Sequence, residues 1–299
     1  MTIPAEPAAD SGPAVPVRPA ADGTAGRRRL PRPGLLGGIC LAVLAVLVAA
    51  AALGGLVFPH WARQDLLLGV SGPSPGHPLG TDDLGRDILQ TAVVGTRSAL
   101  VGPALIAVGS MALGNLLGLW AGYRGGWADA LVGRWADLVL SLPALLVTVV
   151  VVGVLGGGYP AAVLVLAVLS SPTDTRLVRS AVLAQRHLPY VEAAEALGLS
   201  RRRILLGHIW PNVLPQALAN ALVNFSFALV ALSSLSFLGI GVPPGAADWG
   251  RMLSENQTLM YDNPAATLLP ALLVVTAATA VNLLGDRAQD ALDLRARTR

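Results

Sequence analysis

The 299-residue chain contains no lysine: its Lys+Arg count of 21 is made up entirely of arginine. That absence excludes a Walker A phosphate loop, whose lysine contacts the nucleotide phosphates. It also excludes Schiff-base chemistry and lysine nucleophiles. A single cysteine, Cys40, excludes an internal disulfide. Charge is scarce as well. Only 13% of residues are charged, against 54% apolar, about half the charged share of a soluble domain. A water-facing surface on a chain of this length needs more charge than that, so the composition points to a membrane protein.

What is present is a series of long uncharged runs separated by short polar connections. Residues 1–33 are rich in Pro, Ala and Asp, carry no hydrophobic period and are expected to form a disordered tail. The cluster Arg27, Arg28, Arg29 and Arg32 then precedes an uncharged run at 34–58. That run exceeds the apolar core of a signal peptide and lacks a small-x-small cleavage pattern before Pro59, so it reads as a retained first span. A polar connection covers 59–97, and a second span is expected at 98–123. Arg124, Asp129, Arg134 and Asp137 then form a short charged loop. Residues 138–173 hold no charge and are interrupted by Gly156-Gly157-Gly158-Tyr159-Pro160, a turn sequence. This predicts a tight pair of spans at 136–156 and 159–180, the second carrying Asp174, Arg176 and Arg179 close to the membrane interface. The last two spans are expected at 211–241 and 263–285, with a short tail at 295–299. The fold class is therefore an all-α integral membrane protein with six transmembrane helices.

Orientation follows from the arginines, because cytoplasmic loops hold the excess of positive charge. With the N-terminus inside, seventeen arginines fall on inside segments and four (Arg63, Arg86, Arg97, Arg251) on outside ones. Both termini and the charged stretch before the fifth span are then cytoplasmic. In that stretch, Tyr190 to Leu197 forms helix readily, with Pro189 suited to its first turn. Gly198 suits the left-handed position that ends a helix, and Ser200 the N-cap of a second helix before Arg201-Arg202-Arg203. Small Ala193 and Ala194 would let a partner surface approach, and Glu192 offers charge-assisted hydrogen bonds. The three arginines also suit anionic lipid headgroups.

Glu192-Ala193-Ala194, followed after three residues by Gly198, resembles the EAA motif of bacterial ABC importer permeases. In that family the motif is followed nine residues later by Ile-x-Leu-Pro; here His208-Ile209-Trp210-Pro211 stands in that place and shares the proline. The segments His77-Pro78-Leu79-Gly80-Thr81-Asp82-Asp83-Leu84-Gly85-Arg86-Asp87, Leu235-Ser236-Phe237-Leu238-Gly239-Ile240-Gly241-Val242 and Asn282-Leu283-Leu284-Gly285-Asp286 narrow the resemblance to the C-type subunit of the peptide/nickel permease family, over residues 34–294. The resemblance implies a type I ABC importer permease fold in the cytoplasmic (inner) membrane of a bacterium. It implies that loop 181–210 couples to ATPases through Tyr190, Glu192, Ala193, Ala194, Leu197, Gly198 and Arg203. The implied partners are a homologous second permease subunit, two ATP-binding-cassette ATPases that use ATP and Mg, an extracytoplasmic substrate-binding protein and membrane lipid, with no nucleic acid. The chain itself would bind no cofactor and catalyse no reaction. The implied cargo is dipeptides or oligopeptides; the alternative is nickel or a metal–chelator complex.

Two other classes compete. An intramembrane protease needs Ser/His or paired aspartates within spans, and none is found there. A secondary transporter commonly carries charge at mid-membrane, whereas every long run here is uncharged. Asn220 and Asn224, four apart on one helical face, and Ser233 and Ser234 further along are candidates for lining a pathway; interhelical hydrogen bonding is the other use of such residues. The topology is testable with membrane-impermeant thiol reagents. A cysteine at Ser254 is expected to react from outside, and one at Ser200 only after permeabilisation; labelling of Ser200 from outside would overturn the orientation.

Overall fold

A computed structural model describes residues 35–297, with side chains through residue 292. The expected tail at 1–33 lies outside the described residues. The helices are α1 (Leu35–Val57), α2 (Ile88–Arg124), α3 (Gly126–Leu140), α4 (Ala144–Leu155), α5 (Gly158–Gln185), α6 (Pro189–Ala196), α7 (Arg201–Ile204), α8 (Trp210–Phe237), α9 (Trp249–Glu255) and α10 (Ala265–Arg297). Among the described residues β pairing amounts to two isolated bridges, Ser74 with His77 and Thr81 with Asp87. Five helical stretches are long and apolar enough to cross a membrane: 35–57, 88–124, 158–185, 201–237 and 265–292. The bent pair α3–α4 brings the count up to six if it acts as one span.

Several boundaries differ from those expected from hydropathy. α2 starts at Ile88 rather than near 98 because Asp87 caps it, its carboxylate accepting the Gln90 N–H at 2.9 Å. The hydroxyls of Thr91 and Thr96 bond back to carbonyls of the same helix, which absorbs the polarity of those first turns. The expected span 136–156 is broken. α3 and α4 meet at 83° across Ser141-Leu142-Pro143, where proline lacks an N–H and crowds the residue before it. The charged loop expected near 124–137 is largely α3. Its acids are paired across the bundle: Arg179 grips both oxygens of Asp129, and Arg176 pairs with Asp137. α5 runs to Gln185, past the expected end at 180, and α10 continues helical to Arg297, into the expected tail. Gly156 and Gly158, at φ +63° and +57°, make the tight turn between α4 and α5 that the glycine cluster predicts.

α2 and α5 share the most extensive interface of the bundle. Gly114, Gly118 and Gly122 form a flat stripe on α2, and α5 lies directly on it. A Cβ at position 118 would sit 2.8 Å from both the Thr175 carbonyl oxygen and Val178 Cβ, and one at 122 would sit 3.0 Å from Val182 Cβ. In lipid, where apolar burial drives little association, such close backbone approach supplies the packing. α8 packs on α2 and α10, and α1 leans on both. Leu and Val side chains of α1 and α4, such as Leu35, Leu56 and Val154, face outward, where a bilayer solvates them.

At the end where α1 leaves and α2 begins, a polar lock ties the long connection to the α8–α9 loop. Arg86 donates from Nε to Asp82 at 2.6 Å, from Nη2 to Glu255 at 3.0 Å and from Nη1 to the Gly245 carbonyl at 3.2 Å. Glu255 also accepts the Gly245 N–H at 2.9 Å and Arg251 Nε at 2.8 Å. Burial alone would raise the Glu255 carboxyl, but these N–H donors and the Arg86 charge outweigh it and hold it below the ordinary glutamate range. Burial would lower the Arg86 guanidinium; Asp82 and Glu255 outweigh that and hold it above its ordinary value.

Two outcomes are expected. Gly118→Val overfills the α2–α5 seam and should lower thermal stability in detergent by about 1–3 kcal/mol. Gly133→Ala, at a site with open space, should serve as a near-neutral control. Because the folded Glu255 value is depressed, its stabilisation is present above the unfolded glutamate pKa of about 4.3 and is lost as pH falls through the folded value. Protection of the Gly245 amide, its exchange rate relative to that of an unstructured amide at the same pH, should therefore stay high at neutral pH and fall only below about pH 4.3. Glu255→Gln should bring that loss of protection to neutral pH.

Candidate functional site

Two regions hold the residues singled out from the sequence. The first is the bend between α6 and α7. Leu188 adopts an extended conformation (φ −82°, ψ 146°), and Pro189 opens α6 at a position where its missing N–H leaves no bond unmade. The helix closes with a paired turn: the Gly198 N–H donates to Glu195 O at 2.9 Å, and the Leu199 N–H reaches back to Ala194 O at 3.2 Å. This is the Schellman arrangement, and it places Gly198 at φ +74°, in the left-handed region that glycine adopts without penalty. Leu199 packs inward behind it. Ser200 occupies the next N-cap with an extended backbone, and its carbonyl accepts from Arg203 and Ile204; its hydroxyl makes no cap bond.

The inner side of the bend is clamped by apolar contacts. Val191, Ala194, Ile204 and Ile209 are buried against Leu119 of α2, Val178 and Val182 of α5, and Val213 and Ala217 of α8. The outer side carries Glu192, Ala193, Leu197 and Arg203, all exposed, with Leu197 at 81%. Ala194 differs from the expectation that it faces a partner, because its place on the helix turns it into the protein's own core. The Tyr190 hydroxyl donates to Gln185 at 2.6 Å, tying α6 to the end of α5. Glu195 was not singled out from the sequence; it accepts a 3.4 Å bond from the Tyr123 hydroxyl and so ties α6 to α2. Burial is the first cause that sets the two alanines apart, and only the three-dimensional packing reveals it.

The second arm of the bend is not a separate short helix. α7 passes through one π turn at Leu205–Ile209 into α8, making a continuous helix from Arg201 to Phe237. The π turn sits just before Pro211, whose ring crowds the carbonyl one turn earlier and cannot donate to it. The bend is therefore built into the same helix that carries the second region.

There, Asn220 and Asn224 meet Asp174 of α5. Asn220 Nδ2 donates to Asp174 Oδ1 at 2.6 Å, and Asn224 Nδ2 donates to Oδ1 and Oδ2 at 2.9 Å each. Asp174 is 2% exposed. It is 16 residues into α5, about 24 Å along the helix axis, and faces the middle of α8. Gly114 of α2 makes the room, since any side chain there would strike the Asp174 Cβ. Ser233 and Ser234 lie elsewhere. The Ser233 backbone packs on Gly250, and the Ser234 hydroxyl bonds to its own helix at Val230 O, 2.8 Å. They are about 14–15 Å further along α8 than Asn224 and about 20 Å further than Asn220.

Comparison with known proteins agrees with this architecture. Residues 114–298 match the family described as binding-protein-dependent transport system inner membrane component. The chain is 37% identical over 222 residues to the glutathione transport system permease protein GsiD of Pectobacterium atrosepticum, covering 74% of each chain. It is 36% identical over 224 residues to the dipeptide transport system permease protein DppC of Alkalihalophilus pseudofirmus, covering 75% of this chain and 74% of that one. It is 32% identical over 269 residues to the probable D,D-dipeptide transport system permease protein DdpC of Escherichia coli, covering 88% and 90%. Among solved structures, the MetNI methionine ABC transporter in inward facing conformations superposes with a TM-score of 0.54 at 22% identity, over 69% of this chain and 97% of that one, and so shares the fold.

Proposed function

The chain belongs to the binding-protein-dependent transport system inner membrane components, and we propose that within such an importer it forms half of a pathway for small peptides. Members of this family are permease subunits rather than enzymes, and a chain without lysine has no Walker A loop. The energy for transport would come from two ATPase subunits that bind ATP and Mg. A related permease subunit would complete the pathway, and an extracytoplasmic binding protein would deliver the cargo. Peptide cargo is supported by the relatives, whose names specify glutathione, dipeptides and D,D-dipeptides.

The observation that carries the coupling role is the α6–α7 bend. Its inner side is held by the core, its outer side offers Glu192, Ala193, Leu197 and Arg203, and its second arm is continuous with α8. A partner that displaces this face pushes directly on a membrane-spanning helix. Lying at the cytoplasmic end, as the arginine bias favours, the bend would meet the ATPases. Closure of the ATPases on ATP would then shift α8 and switch access to the pathway.

The test separates backbone from side chain. No neighbour within this chain lies within 4 Å of a Cβ built at Gly198, so within this chain substitution there acts through conformation. A non-glycine residue in the left-handed region costs about 1–2 kcal/mol, and a β-branched one is disfavoured further. Gly198→Val is expected to abolish ATP-dependent peptide uptake while the protein remains in the membrane. Glu192→Ala removes one side-chain contact and keeps the bend, so its loss should be partial. Full uptake and full ATPase co-purification with Gly198→Val would overturn the coupling role.

A further inference from the structure

We infer that Asn220 and Asn224, backed by the buried carboxylate of Asp174, form a seat at mid-depth in the pathway for the primary ammonium group of a transported peptide; this rests on the peptide-permease reading above. Asn224 lies at the midpoint of α8. The carboxylate behind it has no cationic partner among the described residues. The two arginines nearest it in sequence, Arg176 and Arg179, are paired with Asp137 and Asp129 on α3. Its other neighbours are Ser110 and Gly114 of α2. Ionising a carboxyl there without a counter-charge is costly, and an approaching cation supplies that counter-charge and favours the ionised form.

The two asparagines decide what can approach. Both amides turn their NH2 groups toward Asp174, each donating from Nδ2. Their carbonyl oxygens therefore point away from it. Among the described residues no group donates to either oxygen, and neither is sealed from solvent. Both asparagine residues are partly exposed, whereas Asp174 is not. The accessible side of the pair thus presents two unpartnered carbonyl oxygens with a carboxyl group directly behind them, in surroundings of low dielectric.

Those features match an ammonium group. It brings three N–H donors to two acceptors and one charge to an uncompensated opposite charge. A hard divalent cation needs six or more oxygens, usually with carboxylates in direct contact, and here the carboxylate is recessed behind two amides. A softer transition metal prefers imidazole or thiolate, and neither is present in the cluster. Every unblocked peptide has one primary ammonium at its N-terminus whatever its side chains (an N-terminal proline excepted), so one seat can serve a range of sequences.

The experiment uses the assembled complex in proteoliposomes: both permease subunits, the ATPases and the binding protein. Uptake of a dipeptide is compared with that of its N-acetylated analogue. A charge-assisted contact of this kind should favour the free amine by about tenfold or more. Asp174→Asn should bring the ratio down toward one, chiefly by slowing the free peptide. Because the binding protein is the same in both preparations, a change in the ratio reports on this chain. Asn224→Ala, which leaves Asn220 holding the carboxylate, should give an intermediate ratio and supplies the test if Asp174→Asn does not assemble. An unchanged ratio in the assembled variant, or an equal fall for both peptides, would overturn the seat while leaving the peptide-permease reading intact. Failure of the wild-type complex to move either peptide would refute the peptide reading, and the seat with it.

Discussion

The close approach of α2 and α5 is the constraint on which the rest of the molecule depends. Three glycines spaced one turn apart leave a stripe of α2 without side chains, and α5 settles against its backbone there. Without that seam Asp174 has no room, because Gly114 is what leaves space for its Cβ. The seam also fixes the azimuth of α5. With one side pressed on α2, Arg176 and Arg179 turn to α3, and Asp174 turns between α2 and α8. Val178 and Val182, on the same helix, supply part of the floor on which α6 and the start of α8 are clamped.

Packing of this kind separates tasks that a more uniform bundle would mix. At one end, Arg86, Asp82, Glu255 and Arg251 satisfy one another and tie the long connection to the loop after α8. At the other, apolar residues hold the inside of the α6–α7 bend and leave charges and Leu197 outward. Between them lies a polar cluster whose carboxylate is spent inward on two amides. Charge is thus paired at one end, displayed at the other and left without a counter-ion in the middle.

Much of this was legible in the sequence wherever the signal was local. α1 is one uniform apolar run. The turn at Gly156 and Gly158 and the bend at Gly198 are marked by residues whose backbone freedom the conformation requires. Pro189 marks the start of α6 by the same kind of local chemistry. The parts that were not legible depend on partners far along the chain. Asp129 and Asp137 looked like loop residues because the arginines that neutralise them are 50 and 39 residues away. The pairing of Asp174 was hidden in the same way, since the amides that hold it are 46 and 50 residues distant on α8. Ala193 and Ala194 are identical in type, and which of them faces out is decided by the azimuth of a helix that only packing sets.

The unbroken helix from Arg201 to Phe237 has a mechanical consequence. At 1.5 Å per residue it is a rod of roughly 55 Å, with the asparagine pair as its natural fulcrum. From Asn224 one arm runs about 35 Å to Arg201 and the other about 20 Å to Phe237. A tilt of about 10° about that point would sweep the long arm through about 6 Å and the short arm through about 3.5 Å in the opposite sense. Arms of nearly two to one trade travel for force, so a large, soft displacement at the bend becomes a smaller, firmer one at the far end. The π turn at Leu205–Ile209, with its wider and weaker backbone bonding, lies in the long arm and sets how much of that travel is transmitted rather than absorbed.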